Sequence, residues 1–305
     1  MIAIQKRKPF LSKRDLVGWL IMLPSLVLFA FFVWVPLGSN FVMSFFKDAN
    51  YSSFVGLANY KYVFSDPTFI KALGNTFIYI FYSILIGFLI PIALGILLSE
   101  VIHFKAIFRL GIYFPAIISG VAVVFLFKSL YNPENFGVIN IILKWLTGQT
   151  SLLKDDAKLA IPLMVVAMTW RGAGATMLIY LSSLQTIDTS LYEASRIDGS
   201  NMWHRLWYIT LPHLKNTITV LFILQIISVF QVFYEPLVMY GDTKGGPNNS
   251  AMSLMLLGYD YFYGKGEASH GATVGVVLSL IIISISLVYF MVMKLTQRGN
   301  NEVKK

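Results

Sequence analysis

Residues 192–212 read YEASRIDGSNMWHRLWYITLP, a charged stretch punctuated by one glycine and set between two long apolar runs, 158–184 and 214–240. A run of about 20 apolar residues is long enough to cross a bilayer as a helix, so a charged island between two of them marks a place where the chain leaves the membrane and re-enters it. Working outward, runs of that length recur near 16–37, 73–98, 107–128 and 272–295. The chain has 305 residues, of which 56% are hydrophobic and only 13% charged, a balance outside that of soluble domains. The expected fold class is an all-α integral membrane protein with six transmembrane helices.

Pro24, Pro91, Pro115 and Pro162 fall inside these runs. Membrane spans tolerate proline because neighbouring groups re-satisfy the freed backbone, so the spans stand. The first run follows Lys6, Arg7, Lys8, Lys13 and Arg14 but lacks a small-residue cleavage site and is too long for a signal peptide. It is expected to be an uncleaved anchor behind a short N-terminal tail, residues 1–15. The net charge of +9 resolves by location. The N-tail, 99–110, 184–215 and the C-tail carry 14 Lys and Arg against six acids, whereas the alternate segments 47–71, 128–158 and 241–271 carry nine against eight. Positive charge collects in cytoplasmic segments, which predicts both termini and the loop 185–213 inside the cell. The excess is spent on topology, and no nucleic-acid role follows from it.

Several chemistries are excluded. There is no cysteine, hence no disulfide or thiolate site. His103, His204, His213 and His270 show no metal-ligand spacing, and no G-x4-G-K-[ST] phosphate loop occurs. No metal or cofactor is expected on this chain. If ATP is used, another subunit holds it.

The island itself predicts a small helical device. Ser190-Leu191-Tyr192-Glu193 has the S-x-x-E form of a capping box, so a helix is expected to start at Ser190. Gly199 suits the left-handed position that ends it. Asn201 can cap a second short helix through Tyr208, and Pro212 suits the first turn of the next membrane helix. Ala194 and Ser195 leave a face without bulk, while Ile197, Leu206 and Ile209 offer apolar contacts. A capped helix pair lying on lipid headgroups, with Trp203 and Trp207 as interface aromatics, would read the same way.

These residues resemble the cytoplasmic signature of binding-protein-dependent import permeases of the ATP-binding-cassette class, E-A-A-x3-G-x9-I-x-L-P. Here it stands as Glu193-Ala194-Ser195, Gly199, Ile209, Leu211 and Pro212, with both spacings kept and Ser195 as the sole departure. Family-like stretches also occur at 54–77, 108–123 and 137–140, then at TWRG (169–172) and TKGGP (243–247), most similar to the sugar-importing branch that includes the maltose transporter's permeases. The resemblance implies a type I importer permease core that forms half of a pore with a second homologous permease. Two ATP-binding subunits would sit beneath it, holding ATP and Mg, and an extracytoplasmic solute-binding protein would deliver an oligosaccharide or disaccharide. The helix at 193–199 would couple to the ATPase through Glu193, Ala194, Ser195, Asp198, Gly199, Ile209, Leu211 and Pro212. Glu193 is equally accounted for by capping, and Asp198 and Arg196 by solvation.

Arg171 and Glu235 are the two charges inside predicted spans away from their ends, and ionisable groups at that depth face a cavity or one another. Either they line a sugar path with Gly172, Tyr180, Gln225, Gln231 and Tyr234, or they form a structural ion pair or snorkel near a span end. The Lys244-Gly245-Gly246-Pro247 turn is expected to be exposed on the outer side, where the resemblance has Gly245, Gly246 and Pro247 meet the binding protein. Trp34, Trp145, Tyr259, Tyr261 and Tyr263 are expected to anchor the chain in lipid. The competing function is an ion-coupled secondary transporter acting alone, which would need coupling carboxylates in the spans, where Glu235 alone is available. An embedded enzyme would need a nucleophile, metal or acid/base cluster, and none is visible.

Overall fold

The computed structural model describes residues 13–101, 103–133, 137–241 and 245–302; most of the N-terminal tail and Lys244 lie outside them. The described residues are helical, joined by turns and one isolated bridge between Phe46 and Phe54. Five helices are long and apolar enough to cross a membrane, or six if one sharply bent pair is counted as a span.

The first long helix, α1 (Asp15–Met43), has none of its most apolar stretch buried. It meets the rest of the chain near its end, where Asn40 Nδ2 donates to the Ala272 carbonyl at 3.4 Å. A short helix, α2 (Ala58–Ser65), leads to α3 (Pro67–Glu100). Asp66 caps α3 by accepting from the Thr68 amide at 2.7 Å, with Pro67 in the first turn where a missing N–H costs nothing. Asp66 also accepts from the Tyr261 hydroxyl, and Lys265 Nζ lies 3.9 Å away. Burial raises the Asp66 carboxyl, but the bonds from Tyr261 and Thr68, with Lys265, outweigh it and hold the pKa below the ordinary value. Tyr261 is therefore not a lipid anchor: it is fully buried, because its hydroxyl has a carboxylate partner inside the protein.

The run at 107–128 is two helices, not one. α4 (Lys105–Ile117) and α5 (Gly120–Leu130) meet at 95°. Ile118 and Ser119 adopt extended backbone between them, and Gly120 lies so close to Tyr234 that a Cβ there would sit 2.3 Å from the phenol oxygen. After α6 (Val138–Thr147) comes α7 (Ala160–Leu184), the most buried of the long helices, which packs against α3, α4 and α5. Its Gly174 permits the closest of these contacts. A Cβ there would lie 2.2 Å from the Ile112 carbonyl oxygen of α4.

Beyond α7 come α8 (Thr189–Ile197) and α9 (Met202–Phe230), which also packs on α7. The run predicted over 214–240 ends as a helix at Phe230 and resumes as a separate short helix, α10 (Tyr234–Tyr240). Pro236 disfavours a continuous helix here, since it has no N–H to donate to the Val232 carbonyl and its ring crowds that oxygen; the carbonyl instead accepts from the Ser253 hydroxyl at 2.5 Å. α11 (Leu254–Tyr259) and α12 (Ala268–Glu302) complete the chain.

Candidate functional site

α8, the turn after it and the start of α9 form one locally bonded unit. The expected capping box does not form. The cap is Asp188, whose carboxylate accepts from the Ser190 amide at 2.9 Å. Ser190 therefore lies inside the first turn and Glu193 beyond it, so Glu193 does not cap. A carboxylate two residues upstream meets the helix's free amides first, and aspartate is among the strongest caps. Backbone and side-chain hydrogen bonds from Ser190 hold the Asp188 carboxyl below its ordinary pKa.

The other end follows the expectation. Gly199 is left-handed, φ +78, the Ser200 amide bonds the Ser195 carbonyl at 3.0 Å and the Gly199 amide that of Arg196 at 3.1 Å, which satisfies two of the helix's last carbonyls. Asn201 Oδ1 accepts from the His204 amide at 2.8 Å and starts α9. Arg205 Nη1 reaches back to the Ser200 carbonyl at 2.8 Å, and the Tyr192 hydroxyl meets Thr210 Oγ1 at 3.0 Å, tying α8 to α9 across the turn. Pro212 does not begin a new helix. A wide turn over Leu206–Thr210 carries α9 through it, with the Leu211 amide bonded to the Leu206 carbonyl. Pro212 follows directly, so its missing N–H falls where the register changes.

Glu193, Ala194, Asp198, Gly199 and Pro212 are exposed, and Ser195, Ile209 and Leu211 are half-buried. Ile197 is 87% exposed, so nothing within the chain covers this apolar side chain at the tip of α8. Beside it lies a cleft of about 530 Å³ lined by Tyr192, Glu193 and Arg196 with Glu100 and Lys105.

The second candidate region is a cavity of about 240 Å³ among α3, α5, α7, α9 and α10. It brings together Arg171, Gly172, Gln225, Tyr234 and Glu235 from the residues anticipated. Tyr180 and Gln231 stand elsewhere: Tyr180 is fully buried among Phe88, Ile92, Leu184 and Leu214, and Gln231 is exposed. Arg171 and Glu235 face the same cavity without forming an ion pair. Arg171 Nε donates to the Ile118 carbonyl at 3.3 Å, where the bend between α4 and α5 exposes it, and Glu235 Oε2 accepts from the Phe233 amide at 3.3 Å. Gln225 Nε2 donates to Ser83 Oγ at 2.5 Å. Ser83, Thr169, Thr176 and Ser228 add hydroxyls to the wall that sequence reasoning missed; isolated small polar residues in apolar runs carry no pattern that would have found them. With amide, hydroxyl, phenol, guanidinium and carboxylate groups on one cavity, the wall can both donate to and accept from a polyhydroxylated solute.

The glycine turn differs from its expectation. Gly245 and Gly246 are buried, packed against Met252 and the Tyr240 ring, because Asn75 Nδ2 holds the following segment to α3 through the carbonyls of Asn249 and Met252 at 2.8 and 3.0 Å. Pro247 is half-buried and Asn248 exposed.

The family model of the binding-protein-dependent transport system inner membrane component matches residues 16–300. The chain belongs to this family. It is accordingly a multi-pass inner-membrane component of a transport system. Among its relatives is the arabinooligosaccharides transport system permease protein AraP of Halalkalibacterium halodurans, 33% identical over 91% of this chain and 88% of that protein. The lactose transport system permease protein LacF of Rhizobium radiobacter is 32% identical over 90% of this chain and 93% of that protein. A chain of a bacterial alginate ABC transporter, solved in complex with an alginate pentasaccharide-bound periplasmic protein, superposes with a TM-score of 0.82 at 25% identity, covering 91% of this chain and 93% of that one. This family member thus has the fold of an ABC importer permease.

Proposed function

We propose that this family member is a permease subunit of an ATP-driven sugar importer, taking oligosaccharides or disaccharides, and that it forms half of the translocation pore. The observation that carries the reading is the end-to-end match to permeases named for arabinooligosaccharides and lactose. The cavity supports it, since a wall of neutral hydrogen-bonding groups with one guanidinium and one carboxylate suits sugar hydroxyls. Arg171, Gln225, Tyr234 and Glu235 are the side chains assigned to the solute path, with Gly172 leaving room beside them.

In this reading α8 is cytoplasmic and enters a cleft of a separate ATPase, with Glu193, Ala194, Ser195, Asp198 and Gly199 on the contact and Ile209, Leu211 and Pro212 fixing its root. Exposed Ile197 supplies an apolar contact there. Two ATPase subunits bind ATP and Mg, a second permease completes the pore, and an extracytoplasmic binding protein docks near Pro247. This chain performs no hydrolysis and holds no cofactor.

The test is reconstitution. The chain assembled with its partner permease, ATPase and binding protein takes labelled oligosaccharide into proteoliposomes only with ATP, and Glu193→Lys uncouples hydrolysis from uptake. Uptake by the chain alone, driven by a proton or sodium gradient, overturns the assignment in favour of an ion-coupled carrier.

A further inference from the structure

Where α4 begins, a groove of about 480 Å³ runs between α4 and α7, lined by Lys105, Ala106, Arg109, Leu110, Tyr113 and Leu178. Its chemistry is divided. Lys105 and Arg109, one helical turn apart and so on one face, sit at one end, and Leu110, Tyr113 and Leu178 form an apolar wall. Neither cation meets a carboxylate among the described residues. Among the described residues Lys105 Nζ bonds only the Ser99 carbonyl, at 3.2 Å, and Arg109 Nε is buried with no hydrogen-bond partner. Most of the donors of two half-buried cations are therefore unmet.

The surroundings say what would meet them. Beyond the two cations α4 presents Ile107, Phe108, Leu110, Phe114 and Ile117, each more than half exposed, the surface of a helix in contact with hydrocarbon. The cations fall in the first turns of that helix, at the depth where a span passes the headgroups. They also lie at the α8 end of the bundle, since Lys105 shares the neighbouring cleft with Tyr192 and Glu193. A small soluble anion would use the charges and leave the apolar wall uncovered; a lipid with a phosphate and acyl chains uses both. Basic pockets between membrane helices hold anionic headgroups in this manner.

We propose that this groove binds one anionic phospholipid of the leaflet on the α8 side, its phosphate between Lys105 and Arg109 and an acyl chain along Leu110, Tyr113 and Leu178. That this leaflet is the cytoplasmic one rests on the function proposed above; the binding itself does not.

The site is tested on the full chain, and again on the assembled transporter, stripped of lipid in detergent and titrated with phosphatidylglycerol or phosphatidylcholine while retained lipid is counted by native mass spectrometry. One phosphatidylglycerol is expected to be retained with a preference of roughly thirtyfold over phosphatidylcholine, given two basic residues at the surface. Lys105→Gln with Arg109→Gln should erase the preference, and Arg109→Lys should keep it, with melting temperatures reporting that each variant is folded. Equal retention of the two lipids, or an unchanged preference in the double variant, overturns the site. Displacement by excess inorganic phosphate makes it a free-anion site instead. Retention by the isolated chain that vanishes on assembly assigns the groove to a partner subunit. Because no uptake is measured, failure here leaves the transport reading standing, and failure of transport leaves this one.

Discussion

Within the unit 188–212 no hydrogen bond joins side chains more than 18 positions apart, the longest being Tyr192 to Thr210. In the cavity, Gln225 meets Ser83 across 142 positions and Arg171 meets Ile118 across 53. The first region makes its own shape from caps and turns. The second exists only while four or five helices keep their mutual positions. A locally bonded unit can be displaced as a rigid piece, whereas a wall assembled from several helices changes whenever they shift. On the function proposed above, that is the division of labour a transporter needs between the part that is pushed and the part that opens.

The strongest blow to this contrast falls on the packed side. Gly174→Ala puts a methyl 2.2 Å from a backbone oxygen of α4 that no rotamer change can move aside, and overpacking of that kind costs about 1–3 kcal/mol. We expect a lower melting temperature in detergent and loss of uptake, with amide exchange in α8 unaltered. An unchanged melting temperature would show that α4 and α7 have room to part.

Gly199 sharpens the other side. Nothing lies within 4 Å of a Cβ built there, so space is free and only the left-handed backbone resists substitution, at about 1–2 kcal/mol for an ordinary residue. Gly199→Val should therefore leave the bundle's melting temperature intact and reduce ATP-coupled uptake several-fold, while Gly199→Asn, which tolerates that conformation, retains most of it. Equal loss in both variants would place the importance of Gly199 in contact rather than in backbone.

The smallest effect is at the cap. Asp188→Ala should speed amide exchange at Ser190 and Leu191 and leave global stability unchanged. The carboxyl's pKa is lowered in the folded chain, so its stabilisation is complete above the unfolded value of about 3.9 and is lost as pH falls through the lower folded value. Acidifying the wild type below that range should reproduce the variant's exchange, and Asp188→Ala should show no such pH response.

How much of this was legible follows the same division. Gly199 and Asn201 act locally and were found from sequence alone. Ser190 was misread as the cap because the S-x-x-E spacing matched a motif while Asp188, two residues earlier, offered the stronger acceptor. Arg171 and Glu235 stood out because charge in an apolar run is conspicuous, yet Tyr180 was placed in the same path and is instead packed among apolar side chains. The bend between α4 and α5 was not anticipated, since Pro115 and Gly120 on either side of it are both compatible with a continuous span, and the Tyr234 ring that packs against Gly120 lies more than 110 positions away. Long-range packing of this kind leaves no mark on local pattern.

The wide turn in α3 has a consequence for how such spans are threaded. Inward-facing positions advance as Phe69, Ala72, Thr76, Tyr79 and Ser83, then jump five to Phe88, and resume at Ile92, Gly95 and Leu98. The jump coincides with the wide turn Ser83–Phe88. One surplus residue turns the screw by about 100°, so a stripe drawn at constant pitch would point its second half away from the bundle. The wide turn absorbs that residue, and two half-stripes that would be out of step in a uniform helix face the same interior. Ser83 and Gly87 sit at that turn, on the wall of the cavity, so deleting a single residue between them would let the turn close to a regular helical one with Ile92, Gly95 and Leu98 still facing the bundle, whereas tightening the turn without a deletion would rotate all three toward lipid.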